Sequence, residues 1–251
     1  MYPVLFKIGP ISIYTYGVFV CLGVISGFFV SERYALKSAI DKQTFREVAF
    51  WVIVSSFAGA RLFYCIIEFP AFLSDPFGLL LGRSGFVFYG GFICGFLSLY
   101  LLSRKFKISY SKLLDVFSLG LPLGHSLGRI GCFFYGCCYG RVTDSFFGVV
   151  FSPESPAGYL GRKIIPTQLI SSFFLFMIFL TLFFLKRKKL FTGRLFLTYV
   201  FLYGSFRFVI EFFRADPRGT TGPLSTSQFI AVIAIFIGIF LWFDWRKKSL
   251  S

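Results

Sequence analysis

The chain of 251 residues is 56% hydrophobic and only 15% charged, with a mean hydropathy of +0.76. A soluble domain carries about a quarter charged residues, so an ordinary soluble globular protein is excluded. The formal net charge of +15 would suggest nucleic acid in a soluble chain. Here the cations are sorted along the chain as in a membrane protein, and no nucleic-acid partner is predicted.

Seven apolar runs approach the roughly 20 residues that a helix needs to cross a bilayer. The first, Ile11–Val30, follows no basic segment and contains Tyr14, Tyr16 and Gly17 without a small-residue cleavage site. It reads as an uncleaved helix rather than a signal peptide. Val48–Ile67 contains Gly59-Ala60-Arg61, and Phe86–Leu102 opens on Tyr89-Gly90-Gly91. Leu113–Ile130 is interrupted by Pro122 and His125. The segment Gly131–Ile165 is too long for a simple connector. Gln168–Leu185, Leu195–Phe213 and Ser225–Phe243 complete the set. The expected fold is an all-α polytopic membrane protein with seven transmembrane helices. It forms one membrane-embedded domain over residues 1–251, with an external loop segment at about 131–165.

Orientation follows from the cations. Loops after the first, third and fifth runs, and the C-terminus, hold sixteen of them, including Arg33, Lys37, Arg104, Lys105 and the Lys186–Lys189 cluster. The other side holds seven: Lys7, Arg83, Arg141, Arg162, Lys163, Arg214 and Arg218. Cytoplasmic loops are the ones enriched in Lys and Arg, which puts the N-terminus outside and the C-terminus in the cytoplasm.

Arg61, Arg129 and Arg207 lie inside spanning runs, where each costs at least about 2.5–3.5 kcal/mol to insert. On the topology above, Arg61 and Arg207 sit about 9 Å below the outer ends of their helices, and Arg129 lies at an outer end. Tyr16, Tyr89 and Gln168 fall near the same surface, so intramembrane polarity gathers in the outer half of the bilayer. Tyr203, Arg207 and Glu211 are four apart and share one helix face. Glu211 can pair with Arg207 or with Arg214, and Arg61 can instead snorkel to headgroups. The segment Gly128–Arg141 packs four glycines and two arginines at the outer boundary. It fits either an anion-binding nest or a tight helix-packing turn, and Tyr89-Gly90-Gly91 offers a second close-approach site.

The cysteines divide into two groups. Cys21, Cys65 and Cys94 read as small packing residues. Cys132, Cys137 and Cys138 do not have a usual zinc-ligand spacing. A disulfide is open to them in an oxidising compartment. No metal or cofactor is predicted, and His125 reads as a hydrogen-bonded residue inside the bundle.

The order and spacing of several motifs resemble the prolipoprotein diacylglyceryl transferase family over nearly the whole chain. They are Pro3-Val4-Leu5-Phe6-Lys7-Ile8-Gly9-Pro10, Tyr16-Gly17, Gly59-Ala60-Arg61, Tyr89-Gly90-Gly91, Gly128-Arg129-Ile130-Gly131, Gly140-Arg141, Pro166-Thr167-Gln168-Leu169 and Tyr203-Gly204-Ser205-Phe206-Arg207 through Glu211-Phe212-Phe213-Arg214. The resemblance implies seven helices and transfer of diacylglycerol from phosphatidylglycerol to the lipobox cysteine of a preprolipoprotein signal peptide. A thioether forms and glycerol phosphate is released, the first step of bacterial lipoprotein maturation. It further implies a multi-pass protein of the cytoplasmic (inner) membrane, with its site facing the outer leaflet.

On that reading Arg129 and Arg207 grip the phosphate, Glu211 orients an arginine, and Tyr16, Tyr203, Arg61, Gly90, Gly91, Gly140 and Gln168 line the substrate site. The chain departs from the family in having Tyr89 where a histidine precedes the paired glycines. It also has Cys132 and Cys137 where asparagine and acidic residues are usual, and Ile165 where a histidine precedes the proline. Tyr89 is therefore expected to position lipid or thiol by hydrogen bonding. The competing readings are an inactive or altered-acceptor paralogue and an anion transporter. Transporters place substrate at the midplane between duplicated halves, and no duplicated halves are visible here.

Overall fold

The computed structural model describes all residues except 1–2, 10, 83–84, 188–190, 217–219, 222–223 and 249–251. Of the residues used above, Pro10, Arg83, Lys188, Lys189 and Arg218 lie outside the described residues. In chain order the elements are a hairpin of β1 (Val4–Ile8) and β2 (Ile11–Tyr14), then α1 (Thr15–Lys37), α2 (Lys42–Ile67), α3 (Phe69–Ser74), α4 (Pro76–Leu81), α5 (Phe88–Lys105) and α6 (Tyr110–Tyr135). After a loop segment come α7 (Thr167–Leu185), α8 (Arg194–Ile210), a short 3-10 turn at Glu211–Phe213, the two-residue strands β3 (Thr220–Thr221) and β4 (Leu224–Ser225), and α9 (Thr226–Lys248).

Five helices are long and apolar enough to cross a membrane, namely α1, α2, α7, α9 and α8 extended through Phe213. This is a multi-pass membrane protein. The remaining two runs are helical but more polar. The 18 residues of α5 end on Arg104 and Lys105, and α6 carries Asp115, Pro122, His125 and Arg129.

The chain forms two compact units, residues 32–113 and residues 1–31 with 114–251. In the first, α2 and α5 meet along a seam of small residues. A Cβ added at Gly59 would stand 2.7 Å from the Gly90 carbonyl oxygen, and one at Gly91 would stand 2.8 Å from the Ser56 carbonyl oxygen. Close backbone approach of this kind is how helices associate where lipid offers no hydrophobic drive. Gly90 and Gly91 are thus buried against α2. Arg61 is 8% exposed. It donates to the carbonyls of Leu79, Leu80 and Gly85, and its guanidinium lies over the rings of Tyr64 and Phe86. Those bonds hold α4, and Gly85 beyond it, against α2.

In the second unit α1 and α6 pack through Gly23 against Gly124 and Gly27 against Gly120. The helix α6 runs unbroken through Pro122 and continues to Tyr135. This corrects the expectation of an interrupted run ending at Ile130. Ser126 Oγ donates to the Ser172 carbonyl at 2.8 Å and ties α6 to α7. At the other end of α6 the buried carboxylate of Asp115 accepts from the backbone N–H of Gly193 at 2.7 Å and of Phe196 at 2.9 Å. It caps the start of α8 from another helix, satisfying donors that a helix N-terminus leaves free. The segment between α6 and α7 has its own small core of Tyr139, Phe151, Ala157 and Ile164.

Candidate active site

The site is built where α6, α7 and α8 end or begin around the loop 136–141. Arg129 and His125 are one turn apart on α6, and the Arg129 Nε–H donates to His125 Nε2 at 3.2 Å. His125 is therefore the acceptor and holds its proton on Nδ1. Its ring packs edge-on against Tyr203 of α8 at 5.4 Å, and Tyr203 stacks on Tyr199 at 5.6 Å. One turn beyond Tyr203, Arg207 Nη1 pairs with Glu211 Oε2 at 2.7 Å, and its Nη2 donates to Ser227 Oγ at 2.8 Å. Both Arg129 and Arg207 are close enough to His125 to act on it electrostatically. One guanidinium thus bonds the imidazole directly, and a second, from another apolar helix, lies within electrostatic range of it.

Of the two partners open to Glu211, the structure selects Arg207. Arg214 instead forms a two-pronged pair with Asp216, with Nε–Oδ1 and Nη2–Oδ2 both at 2.9 Å. Burial works against the Arg214 cation, but Asp216 and Cys138 outweigh it and raise its pKa above the ordinary arginine value. Tyr16 is 42% exposed. Its ring lies 6.2 Å from Tyr135, within electrostatic reach of Arg129 and of Cys132, Cys137 and Cys138.

Three expectations change in detail. Gly128 and Gly131 are helical, so they form no nest; Gly131 faces the backbone of Tyr16. Left-handed backbone begins only at Gly136, with φ +83°. The N–H of Gly140 donates to the Ile165 carbonyl at 3.1 Å, and an added Cβ would stand 2.6 Å from that oxygen. Its lack of a side chain is a packing requirement. Gln168 is fully buried, and its amide donates to the Cys137 carbonyl at 2.7 Å, so it holds the loop. Tyr89, on the other unit, is 39% exposed at the start of α5.

Sequence reasoning singled out Cys132, Cys137 and Cys138 but, on their spacing, predicted no metal site; the structure gathers them into one compact cluster. The chain leaves α6 by turning back on itself, with the N–H groups of Gly136 and Cys137 both donating to the Cys132 carbonyl at 2.9 and 3.2 Å. Cys138 then takes φ +61°, a conformation that disfavours L-residues by about 1–2 kcal/mol. Thr167 Oγ1 donates to the Cys138 carbonyl at 2.8 Å and helps hold it there. The result brings the three thiols of Cys132, Cys137 and Cys138 within 4.8 Å of one another. All three are free cysteines, each half-buried. Spacing along the chain could not reveal this, because the left-handed turn and two side chains of α7 make the cluster.

Among the described residues the groove lined by Leu197, Phe201, Ile235, Ile239 and Trp242 between α8 and α9 holds about 360 Å³. It offers no charged group, so the arginine cluster is the better candidate site.

A family profile described as prolipoprotein diacylglyceryl transferase matches residues 3–244. The phosphatidylglycerol–prolipoprotein diacylglyceryl transferase of Clostridium tetani (strain Massachusetts / E88) is 37% identical over 242 residues, covering 96% of this chain and 97% of the relative. The similarly named protein 2 of Clostridium perfringens (strain 13 / Type A) is 36% identical over 242 residues, covering 95% and 93%. That of Halalkalibacterium halodurans is 32% identical over 253 residues, covering 99% and 88%. With buried arginines set in apolar helices and a match from end to end, the chain belongs to the prolipoprotein diacylglyceryl transferase family.

Proposed function

We propose that this chain transfers the diacylglyceryl group of phosphatidylglycerol to the lipobox cysteine thiol of preprolipoproteins. The observation that carries the reading is a pair of arginines held inside apolar helices, Arg129 bonded to His125 and Arg207 paired with Glu211, with a lipid phosphodiester as the anion they would bind. The acceptor sulfur attacks the glycerol carbon next to the phosphate ester, the C–O bond breaks, and glycerol phosphate leaves with the electron pair. Fixed cations in a site poor in water stabilise that developing charge far better than exposed ones. Glu211 and Ser227 orient Arg207, His125 orients Arg129, and Tyr16 and Tyr203 line the headgroup region. The direct test is incubation of the purified chain with phosphatidylglycerol and a lipobox peptide. Mass spectrometry should detect the diacylglyceryl adduct; unmodified peptide would refute the assignment.

The reading includes seven crossings in one membrane-embedded domain of the bacterial inner membrane. The N-terminus and the site face outward, at the outer leaflet, where phosphatidylglycerol and the signal peptide's cysteine meet. The cation bias between the two sets of loops supports it. A reporter fused after Ser251 should be active only on the cytoplasmic side; activity confined to the outside would reverse the topology.

Tyr89 contributes a hydrogen bond rather than a base, since a phenol of reference pKa about 10 is a poor proton acceptor at neutral pH. Tyr89→Phe should retain most turnover. Complete loss in a folded Tyr89→Phe protein would make the tyrosine the base.

A further inference from the structure

We propose that Cys132, Cys137 and Cys138 form a three-thiolate zinc site whose open fourth position takes the acceptor thiol of the lipobox cysteine. The inference rests on the transferase reading above for its catalytic use, and on the thiol cluster for the metal itself.

The geometry supports a site. The three sulfurs already lie within 4.8 Å of one another. A tetrahedral zinc with Zn–S bonds of about 2.3 Å needs them about 3.8 Å apart, a closure that side-chain rotation supplies. The backbone is built for this arrangement. Cys138 is held in a left-handed conformation with φ +61°, and the carbonyls of Cys137 and Cys138 are held by Gln168 and Thr167 at 2.7 and 2.8 Å. A non-glycine residue kept in such a conformation by surrounding bonds is a mark of a functional turn. An isolated pair of thiols would not need all three sulfurs brought together.

Charge agrees. Three thiolates around one dication carry a single net negative charge, and Arg129 and Arg214 are the cations within electrostatic range of Cys138. Among the described residues no histidine or carboxylate joins the three sulfurs. Zinc sites with four protein ligands are structural, whereas three ligands leave a position for a substrate or water. The open position would be near Arg129, since Cys132 follows it by three residues on the same face of α6.

The site also lacks an evident base. The sole histidine of the chain accepts from Arg129 through Nε2, Glu211 is paired with Arg207 and Asp216 with Arg214. A zinc ion removes the need for one. The incoming thiol binds the metal and releases its proton to water, leaving a thiolate at neutral pH. That sulfur forms the new C–S bond as the glycerol C–O bond breaks, and the electron pair leaves on glycerol phosphate. The neutral thioether is a weak ligand, so the product departs and the metal is ready for the next thiol.

The test uses the full chain in detergent, kept reduced with a phosphine and supplied with zinc. Metal analysis should give about one zinc per chain. Cys132→Ser and Cys138→Ser should each lose most of it, while Cys21→Ser should keep it. Since a serine variant can fail to fold, a second measurement uses the wild-type chain with cobalt in place of zinc. A lipobox peptide with cysteine should raise the sulfur-to-cobalt absorption by about one third, as three thiolates become four, and the serine peptide should leave it unchanged. Wild-type protein without bound zinc, or a cobalt spectrum unmoved by the cysteine peptide, overturns the proposal. Full-rate transfer by zinc-free wild type overturns it while the transferase reading stands. Zinc bound with no adduct from phosphatidylglycerol instead overturns the transferase reading, and with it the catalytic use of the metal.

Discussion

Replacing either Arg129 or Arg207 with alanine should reduce transfer from phosphatidylglycerol by on the order of 100- to 1000-fold, the scale of losing one preorganised charge-stabilising group. The two variants differ in what they leave behind. Arg129→Ala strands only the His125 Nε2 acceptor. Arg207→Ala takes from the buried carboxylate of Glu211 its i,i+4 ion-pair partner, and breaking such a pair by removing one partner destabilises by about 3–5 kcal/mol. The Arg207 experiment therefore needs the companion Arg207→Ala/Glu211→Gln, which removes the buried negative charge as well; its folded yield should recover while transfer stays lost. Arg207→Lys should restore only part of the activity. A lysine is a point charge and cannot span Glu211, Ser227 and a phosphate with one planar fork. Near-wild-type turnover in both alanine variants would remove the two-arginine clamp.

The second large effect concerns stability. Gly120→Val should abolish accumulation of folded protein. An added Cβ at Gly120 would stand 2.1 Å from the Gly27 carbonyl oxygen and 2.4 Å from Ser31 Oγ. The first of these atoms is backbone and cannot rotate away, so α1 and α6 would have to separate along the seam. Gly128→Ala, on the same helix, meets nothing within 4 Å and should fold normally. Equal folded yields of the two variants, measured by size-exclusion chromatography in detergent, would contradict the packing.

How much of this was legible beforehand depended on the range of the interaction. The helices followed from hydropathy, which is local. All seven apolar runs contain a helix, though Ile11–Tyr14 of the first pairs as strand β2 and its helix begins only at Thr15. Five helices meet the length and composition needed to span. The pairing of Arg207 with Glu211 was legible because residues four apart share a helix face. Gly128 and Gly131 were left open between a nest and a packing turn because a glycine-rich stretch looks alike in both; the position of Tyr16 shows that Gly131 serves packing. Gln168, Gly140 and Arg61 were noticed as polar or small residues at suggestive depth, yet each is occupied by backbone carbonyls that no local pattern reveals. Asp115 drew no attention at all. Its partners are 78 and 81 residues away, and a carboxylate beside an apolar run has no signature of capping a distant helix. The thiol cluster escaped for a similar reason, since it needs a left-handed cysteine.

The Asp115 cap has a consequence for the chemistry at the far end of the same helices. Both α6 and α8 start near this carboxylate and run in the same direction toward His125, so it serves as a common zero from which two rulers are read. Arg129 lies fourteen residues beyond the mark, about 21 Å along α6, and Arg207 lies eleven beyond Phe196, about 16 Å along α8. A slip of one helical turn would change the offset between Arg207 and Arg129 by about 5.4 Å. The relative height of the two guanidinium groups is thus tied to one carboxylate at the far end of the same two helices.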